Sequence, residues 1–251
     1  GGLLPWNPNP NGGVWALAAS GTTLYVGGQF TSIAGQARRD IAAFDGASGA
    51  LTAFNPGYVD GAVQALQLSG STLYAGGAFD TVGSVRRSRV ASLNATTGAV
   101  TAWAPNPDNT IRDLELSGSL VYMCGNFTTV GGQPRNYLAA VDATTGAVSA
   151  FNPNPNYPPS EITVTPTSVY VCGDFNTIGA AARNYVAAVD PVTGAAQSWP
   201  VTASTSVYAL ATGPGRVYLG GYFQTLNGTP RAWAGAADQT TGAVVDYRPA
   251  P

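Results

Sequence analysis

The stretch Leu24-Tyr-Val-Gly-Gly-Gln-Phe30 returns four times along the chain. It reappears as Leu73-Tyr-Ala-Gly-Gly-Ala-Phe79, Val121-Tyr-Met-Cys-Gly-Asn-Phe127, Val169-Tyr-Val-Cys-Gly-Asp-Phe175 and Val217-Tyr-Leu-Gly-Gly-Tyr-Phe223. The phenylalanines stand at 30, 79, 127, 175 and 223, a step of 49 residues once and then 48 three times. A fixed period of this length marks a repeat architecture, in which one supersecondary unit is stacked on its own copies.

Each unit reads as four short strands. The first is apolar: Val14–Ala19, Val63–Leu68, Ile111–Leu116, Ser160–Val164 and Val207–Ala211. A Ser-Gly type of turn leads to the Tyr-x-Gly-Gly-x-Phe strand. A polar loop then reaches an arginine eight residues after each Phe, namely Arg38, Arg87, Arg135, Arg183 and Arg231. The third strand ends on Asp45, Asn94, Asp142, Asp190 or Asp238. The fourth follows an Asp-x-x-Thr-Gly type of turn and ends on an aromatic: Phe54, Trp103, Phe151, Trp199 or Tyr247. Short strands at 8–12-residue spacing, with no sustained 3.6 periodicity, predict an all-β fold. Four strands in about 48 residues predict a five-bladed β-propeller with four antiparallel strands per blade. The repeats run about 13–56, 62–105, 110–153, 158–201 and 206–249, within a single domain over 1–251. The repeated rings, Phe30, Phe79, Phe127, Phe175 and Phe223 above all, are expected in the core, where each contributes roughly 1.5–3 kcal/mol by burial.

One strand is left over. Residues 1–12 carry a sixth copy of the fourth strand, Gly2-Leu-Leu-Pro-Trp6 followed by Asn7-Pro-Asn-Pro10. Residues 2–6 and 243–248 both fit the slot in which a terminal strand stitches the first blade to the last. The surplus one is expected to decorate its own blade or to pair with another molecule, because an unpaired edge invites strand addition.

Composition removes several chemistries. The chain has no His and no Lys, and all its basic residues are Arg. That excludes a Ser-His or Cys-His nucleophile pair, a P-loop lysine and a Schiff base. Two cysteines cannot build a four-cysteine zinc site. No cofactor is expected. The net charge of −2 shows no basic stripe for nucleic acid, and no apolar run is long enough for a membrane helix. The chain reads as lacking a signal peptide, as a mature secreted form would.

The unit Tyr-Val-Gly-Gly-x-Phe-Thr…Arg…Ala-Ala-x-Asp-x-x-Thr-Gly-x-x-x-x-Trp resembles the delta-60 (DUF5122) β-propeller repeat of secreted bacterial proteins. Its second half is also similar to the tryptophan-docking motif of quinoprotein-like propellers. The resemblance covers nearly all of residues 13–248. It implies an extracellular or cell-surface module and no single activity. The adjacent-cysteine disulfide and metal ligands of a quinone site have no counterpart here.

Several residues are candidates for sites. The five arginines either form a ring for anions or carboxylated glycans, or each ties its loop to the Asp or Asn seven residues on. Recurrence in every unit favours the second reading. Cys124 and Cys172 replace the first Gly of the pair. Stacked sheets lie too far apart for an easy disulfide, so two buried thiols are expected.

Departures from the repeat point to any asymmetric function. One first-strand position varies as Trp15, Gln64, Arg112, Ser160 and Tyr208, and the next brings Asp113 and Glu161 beside Glu115. This patch reads as a carboxylate pair of a glycosidase, as a hard-cation site, or as a solvated edge of the central channel. Tyr58 and Tyr157 lie in inter-unit loops among Asn, Pro and Asp, a composition suited to sugar recognition. The expectation is a non-catalytic binding or scaffold module of an extracellular structure, self-associating or binding other surface proteins. A lectin-like propeller is the alternative and a glycoside hydrolase the remote one.

Overall fold

The structure is a computed structural model that describes residues 6–246. It is all-β, with no helix among the described residues. Five antiparallel sheets follow one another along the chain as propeller blades. Blade 1 holds Gly13–Ser20, Thr23–Gln29 and Ile41–Asp45, and blade 2 holds Val63–Ser69, Thr72–Gly77 and Val90–Asn94. Blade 3 holds Ile111–Ser117, Leu120–Gly125 and Leu138–Asp142, and blade 4 holds Pro159–Val164, Val169–Gly173 and Val186–Val189. Blade 5 has four strands: Val207–Gly213, Arg216–Gly221, Ala234–Asp238 and Val244–Val245. A small hairpin, such as Thr129–Val130 with Gln133–Pro134, sits between the second and third strands of every blade.

The fourth strand is much reduced in blades 1 to 4. There it is a single antiparallel bridge: Phe44 to Leu51, Leu93 to Val100, Val141 to Val148, Val189 to Ala196. The segment is fastened by side chains instead. In blade 3, Arg135 donates to the carbonyl of Pro134 at 2.8 Å and, with its other terminal nitrogen, to that of Ser149 at 2.8 Å. Arg87 reaches Thr101 and Arg183 reaches Gln197 in the same way, while Arg231 pairs with the Asp246 carboxylate at 2.7 Å. Arg38 donates to Ala37.

The expected ties from these arginines to Asp45, Asn94, Asp142, Asp190 and Asp238 are therefore not made. Those side chains turn back on their own loops. Asp142 Oδ1 accepts from the N–H of Thr144 and Thr145 and from the Thr145 hydroxyl, and Asp190, Asp238 and Asn94 repeat the pattern. Asp45 does so with Ser48. A carboxylate serving an Asx turn has its best lone pairs engaged locally, and the arginine fork finds carbonyls nearer to hand. The turn bonds hold Asp45, Asp142, Asp190 and Asp238 below the ordinary carboxylate range.

The Gly-Gly pair has two separate causes. A Cβ on the second glycine would lie 2.1 Å from the Gly13 carbonyl oxygen at Gly28, 2.0 Å from that of Ala62 at Gly77 and 2.1 Å from that of Thr110 at Gly125. The backbone of the first strand occupies that space, so this glycine is present in all five blades. A Cβ on the first glycine would instead meet side chains of the next blade: Val63 and Leu66 at Gly27, Ile111 and Leu114 at Gly76. Side chains can change together, and here they do. Where blade 4 opens on Pro159, its partner position in blade 3 is Cys124, whose thiol lies 3.9 Å from the Pro159 carbonyl. Cys124 and Cys172 are both buried and free, and burial pushes both thiols well up.

The same blade faces are joined by the repeated tyrosine. The hydroxyls of Tyr25, Tyr74, Tyr122 and Tyr170 donate to the carbonyls of Ala95, Ala143, Pro191 and Gln239 in the following blade, at 2.7 to 2.9 Å. Each ring also meets the fourth-strand aromatic of its own blade edge-on, Phe54, Trp103, Phe151 and Trp199 in turn. The indole N–H of Trp103 and of Trp199 donates to the next blade, at Asp142 and Asp238. Phe30, Phe79, Phe127, Phe175 and Phe223 are buried, as expected of the core.

Among the described residues the blades pack in series: the first strand of each blade packs on that of the next, from blade 1 through blade 5, and no comparable contact joins the first strands of blades 5 and 1. Leu17 is accordingly 62% exposed, whereas its counterparts Leu66, Leu114, Ile162 and Leu210 are 7%, 3%, 1% and 7% exposed. Trp6 docks on blade 1 as Trp103 docks on blade 3: its indole N–H donates to the Gly49 carbonyl at 3.0 Å and its ring meets Phe44 edge-on. Val244–Val245 pairs within blade 5. Residues 2–5 and Tyr247, the rest of the two expected terminal strands, lie outside the described residues.

Candidate binding cleft

The variable first-strand position has a structural identity. In every blade the pairing register jumps there, between Val14 and Ala16, Val63 and Ala65, Ile111 and Asp113, Pro159 and Glu161, and Val207 and Ala209. Trp15, Gln64, Arg112, Ser160 and Tyr208 are thus bulge residues. A bulge re-aims its side chain out of the pleat, and Trp15, Arg112 and Tyr208 are exposed.

The carboxylates beside this position are engaged. Asp113 Oδ1 accepts from the Leu114 N–H at 2.8 Å and Oδ2 from the Ile162 N–H of blade 4 at 2.9 Å. Glu161 Oε2 accepts from the Leu210 N–H of blade 5 at 2.9 Å. They clip the inner strand of one blade to that of the next, where blades 1 and 2 have Ala16 and Ala65. The patch is therefore not a solvated edge: Asp113, Glu115 and Glu161 are all half-buried. Among the described residues no group of three His, Cys, Asp or Glu side chains is arranged so that it could hold a metal ion.

Burial raises the proton affinity of all three acids, and in Glu115 the negative charges of Asp113 and Glu161 add to it, pushing its carboxyl up to about 7. A carboxyl with a raised folded-state pKa binds more protons folded than unfolded. Its contribution favours the fold below the unfolded value near 4.5 and is lost as pH rises through about 7. Glu115→Gln is expected to raise stability at pH 8 by about 1–2 kcal/mol, the shift being discounted for solvent screening, and to change little at pH 4. Thermal melts of both chains across this range check it. An equal effect at both pH values would contradict the assignment.

A second feature is a cleft of about 390 Å³ where blades 1 and 2 meet. Tyr58, from the loop entering blade 2, is 52% exposed on one wall, with the Arg39 guanidinium 4.7 Å from its ring centroid. Gln29, Thr31, Asp40, Asp60 and Asn11 supply the polar lining. These groups are held in place. Asp40 is buried with φ +63°, and its Oδ1 accepts from the Phe30 N–H at 2.9 Å. Burial, the largest influence, raises its carboxyl. Asp60 Oδ1 accepts from the N–H of Asp80 and Thr81, and Asn11 Oδ1 from the N–H of Thr31 and Ser32.

Of the candidate residues only Tyr58 lines this cleft. Trp15, Arg112, Asp113, Glu115, Glu161 and Tyr208 belong to the inner strands, and Tyr157 stands exposed in the loop between blades 3 and 4. Arg39 and Asp40 were not legible as site residues. Their signal was faint: Asp40 occupies the positive-φ position held elsewhere by Arg89, Tyr137, Tyr185 and Trp233. Trp233 is exposed on that bend, and Ala234 begins the strand.

No protein-family model matches the chain, so the delta-60 resemblance rests on the residues of the repeat. No curated protein matches it either. Solved structures do. The computationally designed Ika8 protein is similar at 18% identity and a TM-score of 0.64, covering 93% of this chain and 60% of its own. The WD40 β-propeller domain of Doa1 is similar at 12% identity and a TM-score of 0.61, covering 94% of this chain and 69% of its own. These likenesses establish the β-propeller fold, and the chain spans about three fifths of the length of Ika8.

Proposed function

We propose that the protein is a non-catalytic binding module of an extracellular or cell-surface structure, and that it takes a saccharide in the cleft between blades 1 and 2. The observation that carries this reading is the pairing of an exposed, braced aromatic ring, Tyr58 under Arg39, with fixed amide and carboxylate groups around it. A sugar ring offers an apolar C–H face for stacking and a rim of hydroxyls for polar groups, and a concave site with few placed polar groups suits it. The non-catalytic part of the reading is supported by Asp113 and Glu161, whose carboxylates each serve a backbone N–H of the next blade. The resemblance of the repeat to delta-60 propellers of secreted proteins is what supports the extracellular setting.

A saccharide array followed by calorimetric titration tests the proposal. Tyr58→Ala is expected to weaken binding of the retained glycan roughly tenfold or more, since an anchoring ring carries over about 1 kcal/mol. Its melting temperature should hold, because the ring is half exposed. Retention of no saccharide, or equal affinity in Tyr58→Ala, would refute the assignment.

A further inference from the structure

Arg39 and Tyr58, which meet across the cleft between blades 1 and 2, occupy repeated positions. One unit on, the same two places hold Ser88 and Asn106, then Asn136 and Asn154, then Asn184 and Thr202. Between blades 3 and 4 this pair is hydrogen-bonded, Asn136 Nδ2 donating to Asn154 Oδ1 at 2.7 Å. Arg39 is thus the one cation of its series and Tyr58 the one ring, and both departures fall at the same junction. The guanidinium lies 4.7 Å from the ring centroid. Among the described residues it makes no hydrogen bond and no ion pair, the ion pairs there being Arg89 with Asp80 and Arg231 with Asp246. A guanidinium laid over a ring keeps its in-plane N–H donors for other partners. The two acids of the cleft serve the fold instead. Asp60 Oδ1 accepts from the N–H of Asp80 and Thr81, a loop fastening that Asp108 and Asn156 repeat in the following units. Asp40 is buried, and its Oδ1 accepts from the Phe30 N–H. The charged group of the cleft left without a hydrogen-bonding partner is Arg39.

We infer that the saccharide taken by this cleft is an acidic one, and that Arg39 selects it by holding a sugar carboxylate. The inference rests on the saccharide reading of the cleft and adds the ligand's charge to it. The planar guanidinium fork matches a carboxylate with two parallel N–H···O bonds, a geometry that a single hydroxyl does not reproduce. Tyr58 then supplies the face on which the sugar ring stacks, and Arg39 supplies the discrimination between acidic and neutral sugars. A neutral sugar would cover the cation and leave it unpaired, which costs affinity. The five repeated arginines are not available for this role, because their terminal nitrogens are taken by backbone carbonyls or by Asp246.

The test is an array of hexuronate and sialyl oligosaccharides printed beside the same oligosaccharides with each carboxyl reduced to the primary alcohol, followed by calorimetric titration of those retained. The unaltered chain should retain acidic members, and reduction of the carboxyl should weaken binding roughly tenfold or more, the worth of a hydrogen bond to a charged group. Arg39→Gln should weaken the acidic glycan by a similar factor and leave the reduced one unchanged, so that the two losses do not add. Arg39→Lys keeps the charge without the fork and should fall between. The comparison of acidic and reduced glycans on the unaltered chain stands even if a variant misfolds. Retention of neutral glycans with no preference for acidic ones, equal affinity for the reduced form, or an Arg39→Gln chain that still tells the two apart overturns this inference and leaves the saccharide reading intact. Retention of no glycan of either kind overturns both.

Discussion

Gly77→Ala is expected to cost about 3 kcal/mol of unfolding free energy, the upper end of overpacking penalties. The added carbon would lie 2.0 Å from the Ala62 carbonyl oxygen and 3.1 Å from the Val63 Cα. Both belong to backbone fixed by the bulge and by the pairing of Val63 with Gly77, so relief requires the first strand to shift as a body. Gly76→Ala is the informative comparison. There the conflict is 2.6 Å from Ile111 Cγ2, a side chain at the face of the next blade. It can give way, at a cost of about 1 kcal/mol, and blades 3 and 4 already carry cysteine at this position. Urea unfolding with unchanged m values separates the two. A larger loss at Gly76 than at Gly77 would mean that the backbone approach at the bulge is not the constraint.

The second large effect is expected at Phe127. Its ring is fully buried in a cluster with Trp103, Val121, Met123 and Val130, and Phe127→Ala removes it from the middle blade. Deleting a buried ring costs about 3–5 kcal/mol, because the cavity only partly collapses. In a chain of this length that lowers the melting temperature by roughly 10 °C. Blade 3 also holds blades 2 and 4, and in a stacked array stability is shared between neighbours. Trp15→Ala, at a half-exposed bulge residue, should by contrast shift melting by less than about 0.5 kcal/mol. Calorimetry on both variants checks the ranking, and equal shifts would contradict it.

What was legible in the sequence is what repetition writes five times. The Phe ladder, the Tyr rings and the Asx turns each answer a local demand present in every blade, so the fold could be read from their period. The fourth strand was over-read because its aromatic end is placed by indole bonds and an arginine fork rather than by a ladder. The Arg–Asp ties were misjudged for a related reason: spacing along the chain said nothing of carbonyls lying closer to the guanidinium than the carboxylate does. Asp113, Glu115 and Glu161 stand out in the sequence as departures from the repeat, but only the structure shows Asp113 and Glu161 accepting from Ile162 and Leu210, each 49 residues onward and one blade away. The cleft was the hardest to see. It joins Arg39 to Tyr58 across a blade boundary, and only the folded packing brings them together.

The central structural claim is that five like blades are stacked through one repeated contact, which among the described residues does not recur between blade 5 and blade 1. Nitroxide labels on Ala19→Cys and Ala211→Cys, at exposed positions of the first strands of blades 1 and 5, test it most directly, because Cys124 and Cys172 are buried away from the reagent. The labelled chain is diluted into unlabelled chain so that only pairs within one molecule report. An open series keeps the labels well beyond the roughly 10 Å that separates face-packed sheets, and the spectrum shows no dipolar broadening. Strong broadening, from labels brought to that spacing, would mean that blade 5 closes on blade 1 and would contradict the account.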